Sequence, residues 1–371
     1  MSGPGESPLL ALMEKAGGVR GDYHGRTLIR HFGDPAGEYA AATTGAAVFD
    51  RSHRTRLIVS GRAPGQMLNG ILTGEMPVAP VESAAADGES LWSGRATYHA
   101  VLTPKGKMIT DLWASLLGDE GSAGFLLDVP VAGRAGLLAL FRKVLPPRFA
   151  AARDATAELS TITLVGPDAA EVVSRLALSG RVPADELSGL EEGEWRSAGS
   201  PASALVVMRT AEVVPEAYSV TGPTEAVVSL WESAVDEGAR PAGLGVWSTL
   251  RVEAGRPTFG TDMDEDTIPV EAGIAERAID HTKGCYTGQE VIVRIRDRGH
   301  VNRYLRQLAL GDVPTPAQGS ELLAGDGSGK VVGRITSAVQ SLARGEVLAL
   351  AYVARGADRV LVDGREVVVG E

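Results

Sequence analysis

Helical patterning stops near residue 300 of this 371-residue chain. The stretches "YLRQLALG" (304–311), "GKVVGRITSAV" (329–339), "EVLALAYVAR" (346–355), "RVLVDG" (359–364) and "REVVVG" (365–370) are short, aliphatic and separated by Gly, Asp and Pro. Runs of that kind, with no helix between them, predict a small C-terminal β-barrel or sandwich. The boundary is expected at "GDVPTP" (311–316) or slightly before it, around His300. Everything upstream must then form a core of its own.

That upstream part mixes periods. Ser7-Pro8 opens a helix through Lys15, closed by Gly17-Gly18, and the Ala-rich 34–47 is also helical, so 1–40 reads as a helical extension. "VFDRSHRTRLIVSG" (48–61) turns into a strand, and Met67, Leu68, Ile71 and Leu72 share a helical face. Residues 91–130 read as consecutive strands with a turn at Thr103-Pro104-Lys105-Gly106, and 131–145 as an amphipathic helix. "TITLVGPDAAEVVSRLAL" and "AYSVTGPTEAVVSLWESAV" each read strand, turn, helix, a weak internal pseudo-repeat. The fold class expected is α+β with an all-β tail, divided as 1–40, 41–300 (one unit or two subdomains) and 301–371.

Bulk properties exclude several functions. A net charge of −11 argues against a broad nucleic-acid-binding face, which needs clustered Lys and Arg. A start without a basic n-region, and the absence of an eighteen-residue apolar run, point to a soluble cytoplasmic protein without a membrane span. One cysteine allows no intrachain disulfide. The acidic loop "DMDEDT" has Thr267 and Gly273 where a calcium loop needs Gly and Glu, and "AGDGSGKV" (324–331) fails the phosphate-loop pattern at Ala324 and Val331. The six histidines share no spacing with the cysteine, so no metal site is expected.

The lone Cys285 stands in "DHTKGCYTGQEVIVRI" (280–295). Thr287 and Glu290 have capping-box spacing ahead of Val291 and Ile292, although "VIVRIR" also alternates like a strand. On the helical reading Cys285 lies just before a helix N-terminus, where the dipole and Lys283 would favour its thiolate. Gly284 and Gly288 permit close backbone approach, and Tyr286 could stack on a flat ligand. A lone cysteine is also commonly a small buried hydrophobe. Five arginines in "RIRDRGHVNRYLR" (294–306) read as a solvated face or as a docking patch for an acidic partner or a polyglutamate tail.

"KGCYTGQE" (283–290) resembles the signature of the YgfZ-type folate-binding proteins at every fixed position: Lys283, Gly284, Cys285, Tyr286, Gly288, Gln289 and Glu290. "VFDRSHRTRLIVSG", "LTPKGKMITDLW" (102–113), "MRT" (208–210) and "GLGVWSTLRVEAGRPTFGTDMDEDTIPVEAG" (243–273) resemble the wider glycine-cleavage T-protein, or aminomethyltransferase, superfamily. The resemblance implies a T-protein-like body around a central folate pocket, closed by a C-terminal β-barrel. It implies tetrahydrofolate, or a derivative, as cofactor.

It also implies support of iron–sulfur cluster assembly or repair, and indirectly of tRNA modification, with Cys285 as the functional thiol and iron–sulfur assembly or client proteins as partners. The alternatives are a folate-dependent aminomethyltransferase and a non-catalytic protein-binding module. By the same resemblance Asp111 is the surviving folate-facing acid. The family's pterin-binding glutamate falls on Pro215 or, slipped by one, on Glu216, and Trp247-Ser248 replace its Arg-Asp pair. Cys285, Lys283 and Asp111 are the candidate reactive residues. Asp111 and Glu216 are the carboxylates a pterin edge would need, Arg209 and Arg251 the groups a glutamate tail would need, and Tyr286 a stacking surface.

Overall fold

A computed structural model describes residues 6–118 and 124–370. Residues 1–5 of the segment read for a targeting signal, and Ala123 at the start of "AGFLLDVPV", lie outside them.

The N-terminal region is not simply helical. Helix Leu10–Lys15 is followed by an antiparallel hairpin, Val19–Tyr23 with Arg26–His31, before helix Pro35–Thr44 begins. Asp34 caps that helix by accepting from the Gly37 N–H at 3.0 Å, with Pro35 in its first turn. The missed hairpin turns on His24-Gly25, both at positive φ (52° and 74°), the backbone of a tight two-residue hairpin loop.

Two sheets build the body. A five-stranded antiparallel sheet runs in the order 151–154, 55–60, 125–129, 108–116, 97–102. An eight-stranded sheet runs 240–242, 47–50, 159–165, 217–223, 206–210, 194–197, 90–95, 81–84, with only its first pair parallel. The two strand-turn-helix repeats supply adjacent strands of this sheet, Leu159–Val165 and Ala217–Pro223.

Alternation along the strands decides what each face meets. On the larger sheet Val48, Ile162, Leu164 and Val220 pack under helices Ala169–Ala177 and Thr224–Asp236. Ala47, Phe49, Val165 and Ala217 turn the other way, onto helices Pro35–Thr44 and Leu244–Glu253. On the smaller sheet Leu57, Leu112, Ala114 and Leu127 pack against helix Arg134–Val144. The intervening Arg56, Asp111, Trp113 and Asp128 are therefore directed away from that apolar layer.

The C-terminal six strands run 303–311, 346–354, 331–341, 321–324, 359–362, 365–368, all antiparallel. The expected barrel is corrected to a curled half-barrel, because its two outer strands pair only with their inner neighbours. Val252 of helix Leu244–Glu253 packs with its Leu348 and Leu350. No helix among the described residues is long and apolar enough to cross a membrane.

Candidate functional site

Between the two sheets lies a narrow cleft. The smaller sheet and its approach contribute Arg54, Tyr98 and Asp111; Arg51 and Glu212 come from residues just beyond strands of the larger sheet. Trp247, Arg251, Arg256, Phe259 and Arg277 close it from the long segment after residue 243. Five guanidiniums and two carboxylates line it, with Arg54, Arg251 and Arg277 also paired to Asp128, Asp262 and Glu192 outside it. Such a mixture of donors and acceptors suits a ligand that carries both carboxylates and N–H groups.

Asp111 is where its strand must put it: Leu112 and Ala114 face the apolar layer, so Asp111 faces the cleft. Tyr98 donates its O–H to Asp111 Oδ2 at 2.5 Å. Asp111 Oδ1 is buried and accepts no hydrogen bond among the described residues. Burial pushes the Asp111 carboxyl above the usual range, against the pull of the Tyr98 bond and the Arg54 charge. An unsatisfied carboxylate oxygen is costly in such a place and is suited to an incoming donor.

Glu212 is the second carboxylate, and the sequence reading missed it. Trp113 Nε1 donates to its Oε1 at 3.3 Å, and Arg51 Nη2 lies 3.4 Å from its Oε2. Burial alone would raise its pKa, but Arg54, Arg51 and Arg277 together hold it below the usual range. Glu216, expected as a pterin-edge carboxylate by a one-residue slip from Pro215, instead accepts from the Tyr218 hydroxyl and does not line the cleft, nor does Pro215. The usable signal was the sequence "MRTAE": Glu212 lies two residues past the strand Val206–Thr210, at a sheet end.

The arginines sort by partner. Arg54 pairs with Asp128 at 2.8 Å. Arg51 lies 3.9 Å above the Trp247 ring, a cation–π contact. Arg251 does line the cleft, yet it is bound at 2.7 Å to the fully buried Asp262 and at 2.7 Å to Ser337 of the half-barrel. It thereby ties the body to the half-barrel. Arg209 is corrected: it donates to the Thr210 and Ala217 carbonyls and is not at the cleft.

The 283–290 motif does not line the cleft either. Lys283 Nζ donates to the carbonyls of Leu72 (2.7 Å) and Gly74 (2.8 Å), and burial pushes its pKa down to about 8. It therefore pins the loop to the body. Gly74 N–H donates in turn to His99 Nδ1 at 2.9 Å. Tyr286 is corrected from stacking surface to core: it is buried beside Leu102, Met108 and Ile292.

The helix of this motif is real, Gln289–Arg298, but the capping box is not. Gly288 precedes it at φ 85°, without any side-chain cap, while Thr287 Oγ1 donates to the Gly70 carbonyl at 3.4 Å. A Cβ on Gly288 would lie 2.6 Å from the Thr103 carbonyl, so the glycine seats the motif on the Thr103–Gly106 turn. Gln289 and the exposed Glu290 open the helix. Cys285 is an exposed free thiol, and next to it Gly284 faces open space. In the arginine-rich stretch, Arg296 pairs with Asp297 and Arg303 with Glu271, leaving Arg294 and Arg298 exposed.

Comparison with known proteins is consistent along the chain. The family model described as the GCVT N-terminal domain matches residues 11–283. An aminomethyltransferase of Rubrobacter xylanophilus is 31% identical over 334 residues, covering 89% of this chain and 82% of that protein. One of Corynebacterium jeikeium is 27% identical over 360 residues, covering 93% and 88%. The crystal structure of the glycine cleavage system aminomethyltransferase T from Bartonella henselae superposes with a TM-score of 0.78 at 19% identity, over 98% of this chain and 95% of that one. The fold is thus T-protein-like, and the chain belongs to the GCVT-domain family.

Proposed function

We propose that this protein binds a reduced folate, tetrahydrofolate or a one-carbon derivative, in the arginine-lined cleft and acts there as a one-carbon transfer enzyme of the aminomethyltransferase kind. The observation that carries the reading is the buried Asp111 Oδ1, held in place through Tyr98 and left without a donor. A pterin edge is rich in N–H donors, and an acceptor already oriented and desolvated binds them without reorganising. Glu212 offers a second acceptor, and the arginines suit the carboxylates of a glutamate tail. The relatives named aminomethyltransferase support the reaction class.

In that reaction the methylene carbon of an aminomethyl donor X–CH2–NH2 forms bonds to two folate nitrogens while its C–N and C–X bonds break, and the two folate N–H protons leave with ammonia and X–H. Asp111, with its raised pKa, is the cleft group suited to hold or pass the proton this requires. The test is formation of methylenetetrahydrofolate and ammonia from tetrahydrofolate and an aminomethyl donor. Production by the wild type, and its loss in Asp111→Asn, supports transfer; no product from a folate-bound protein refutes it.

A second reading is favoured by one feature. The exposed Cys285 stands in an octamer that resembles the YgfZ signature, outside the cleft. On that reading the folate-loaded protein supports iron–sulfur enzymes in the cytoplasm, including those that modify tRNA, through its thiol. Full restoration of iron–sulfur enzyme activity in a deficient strain by Cys285→Ala would refute it.

A further inference from the structure

The carboxylate of Glu192 sits where a ligand's would. It accepts from Arg277 through both Nε (3.1 Å) and Nη2, accepts from the Ala211 N–H at 3.3 Å, and lies 4.0 Å from Arg256 Nη2. These three donors come from separate elements: the short helix Ala275–Ala278, the loop after Leu244–Glu253, and the loop after Val206–Thr210. Arg256 has no other carboxylate within ion-pair distance among the described residues. Two guanidiniums and a backbone N–H thus converge on one negative charge.

The place is also reachable. Glu192 and Arg277 line an open bowl of about 410 Å³, together with Glu75, Arg95 and Glu276. Arg277 and Tyr98 belong to both the bowl and the inner cleft, so they form the wall between the two. The Arg277 guanidinium lies 4.5 Å over the ring of Tyr98, the residue that holds Asp111. The Glu192 side chain keeps 23% of its surface exposed, so it can swing into water without unpacking the core.

We infer that Arg256, Arg277 and the Ala211 N–H form a carboxylate-binding seat, which Glu192 fills until a ligand carboxylate displaces it. Exchange of one carboxylate for another preserves the charge-assisted bonds, so displacement costs little while the ligand gains a fixed anchor. The seat's ligand class is a flexible carboxylate chain arriving from the bowl. Its assignment to the glutamate tail of a reduced folate rests on the function proposed above.

An internal occupant lowers apparent affinity by the fraction of time it holds the site, so a seat open a tenth of the time binds about tenfold more weakly than an empty one. The probe is glutarate, titrated calorimetrically into the full-length protein. Glu192→Gln should bind it about tenfold more tightly than the wild type. Glu276→Gln, which removes the same charge from the bowl but not from the seat, should not, and adding Arg256→Gln to Glu192→Gln should abolish the gain. Equal glutarate affinity in wild type and Glu192→Gln, or an equal gain in Glu276→Gln, overturns the seat. Melting curves confirm that each variant is folded.

A parallel titration separates the ligand's identity. Tetrahydrofolate should gain from Glu192→Gln, whereas 6-methyltetrahydropterin, which has no carboxylate, should not. A glutarate gain with no tetrahydrofolate binding by either protein leaves the seat standing and removes the folate reading.

Discussion

Asp262→Asn should cost far more stability than an isosteric surface change. Asp262 is fully buried and accepts four bonds: from Arg251 at 2.7 Å, the Thr258 N–H at 3.0 Å, and the Thr336 and Ser337 hydroxyls at 2.6 Å each. Its partner Arg251 is 8% exposed. Removing one charge of a buried pair strands the other, at about 3–5 kcal/mol. The loss should fall on the contact between helix Leu244–Glu253 and the half-barrel, since Thr336 and Ser337 belong to the strand Val331–Ser341. Urea unfolding followed by circular dichroism gives the midpoint, and limited proteolysis near 300–316 shows whether the half-barrel detaches first.

The charge argument is tested by the double variant Arg251→Met with Asp262→Asn. No charge is then buried, and Asn keeps an acceptor for the two hydroxyls, so more than half of the single variant's loss should return. A double variant as unstable as Asp262→Asn, or a single loss under ~1 kcal/mol, would refute the reasoning.

Three further outcomes follow from the geometry. His99 is buried, accepts from the Gly74 N–H, and has its pKa pushed down to about 3 by burial and then by Lys283. The unfolded ring titrates near ~6.5, so this contribution is intact above that pH and is lost at about 1.4 kcal/mol per pH unit as pH falls towards 3; His99→Gln should flatten the measured stability slope between pH 6.5 and 5 by about 2 kcal/mol in all. Gly288→Ala must hold a left-handed φ and meet the Thr103 carbonyl, and should lose at least ~1–2 kcal/mol in thermal or urea unfolding. Tyr98→Phe removes the hydroxyl that donates to Asp111 Oδ2 and should weaken tetrahydrofolate binding by roughly 1–3 kcal/mol in calorimetry.

What could be read from the sequence was what is local or periodic. Consecutive strands over 91–130 were legible, Asp111 was marked by the family resemblance, and the short Gly-separated runs of 304–370 announced an all-β tail. Whether that tail closes depends on pairing between its first and last strands, which no local pattern encodes. The cleft was harder, because its arginines are scattered from Arg51 to Arg277 and meet only through the packing of two sheets and a long return segment. Glu212 was passed over because the resemblance pointed three or four residues further on, to Pro215 or Glu216, and only the end of the strand Val206–Thr210 shows which residue reaches the cleft. The capping box failed because Gly288, left-handed against the Thr103 carbonyl, decides how helix Gln289–Arg298 begins.

The central claim is that the cleft holds a reduced folate against Asp111. Calorimetric titration of tetrahydrofolate into wild type and Asp111→Asn under anaerobic conditions tests it most directly. The account predicts saturable one-site binding by the wild type and a loss of about 1.5–3 kcal/mol in Asp111→Asn, the worth of a hydrogen bond to a charged group. No saturable binding by the folded wild type, or equal affinity in the variant, would contradict it.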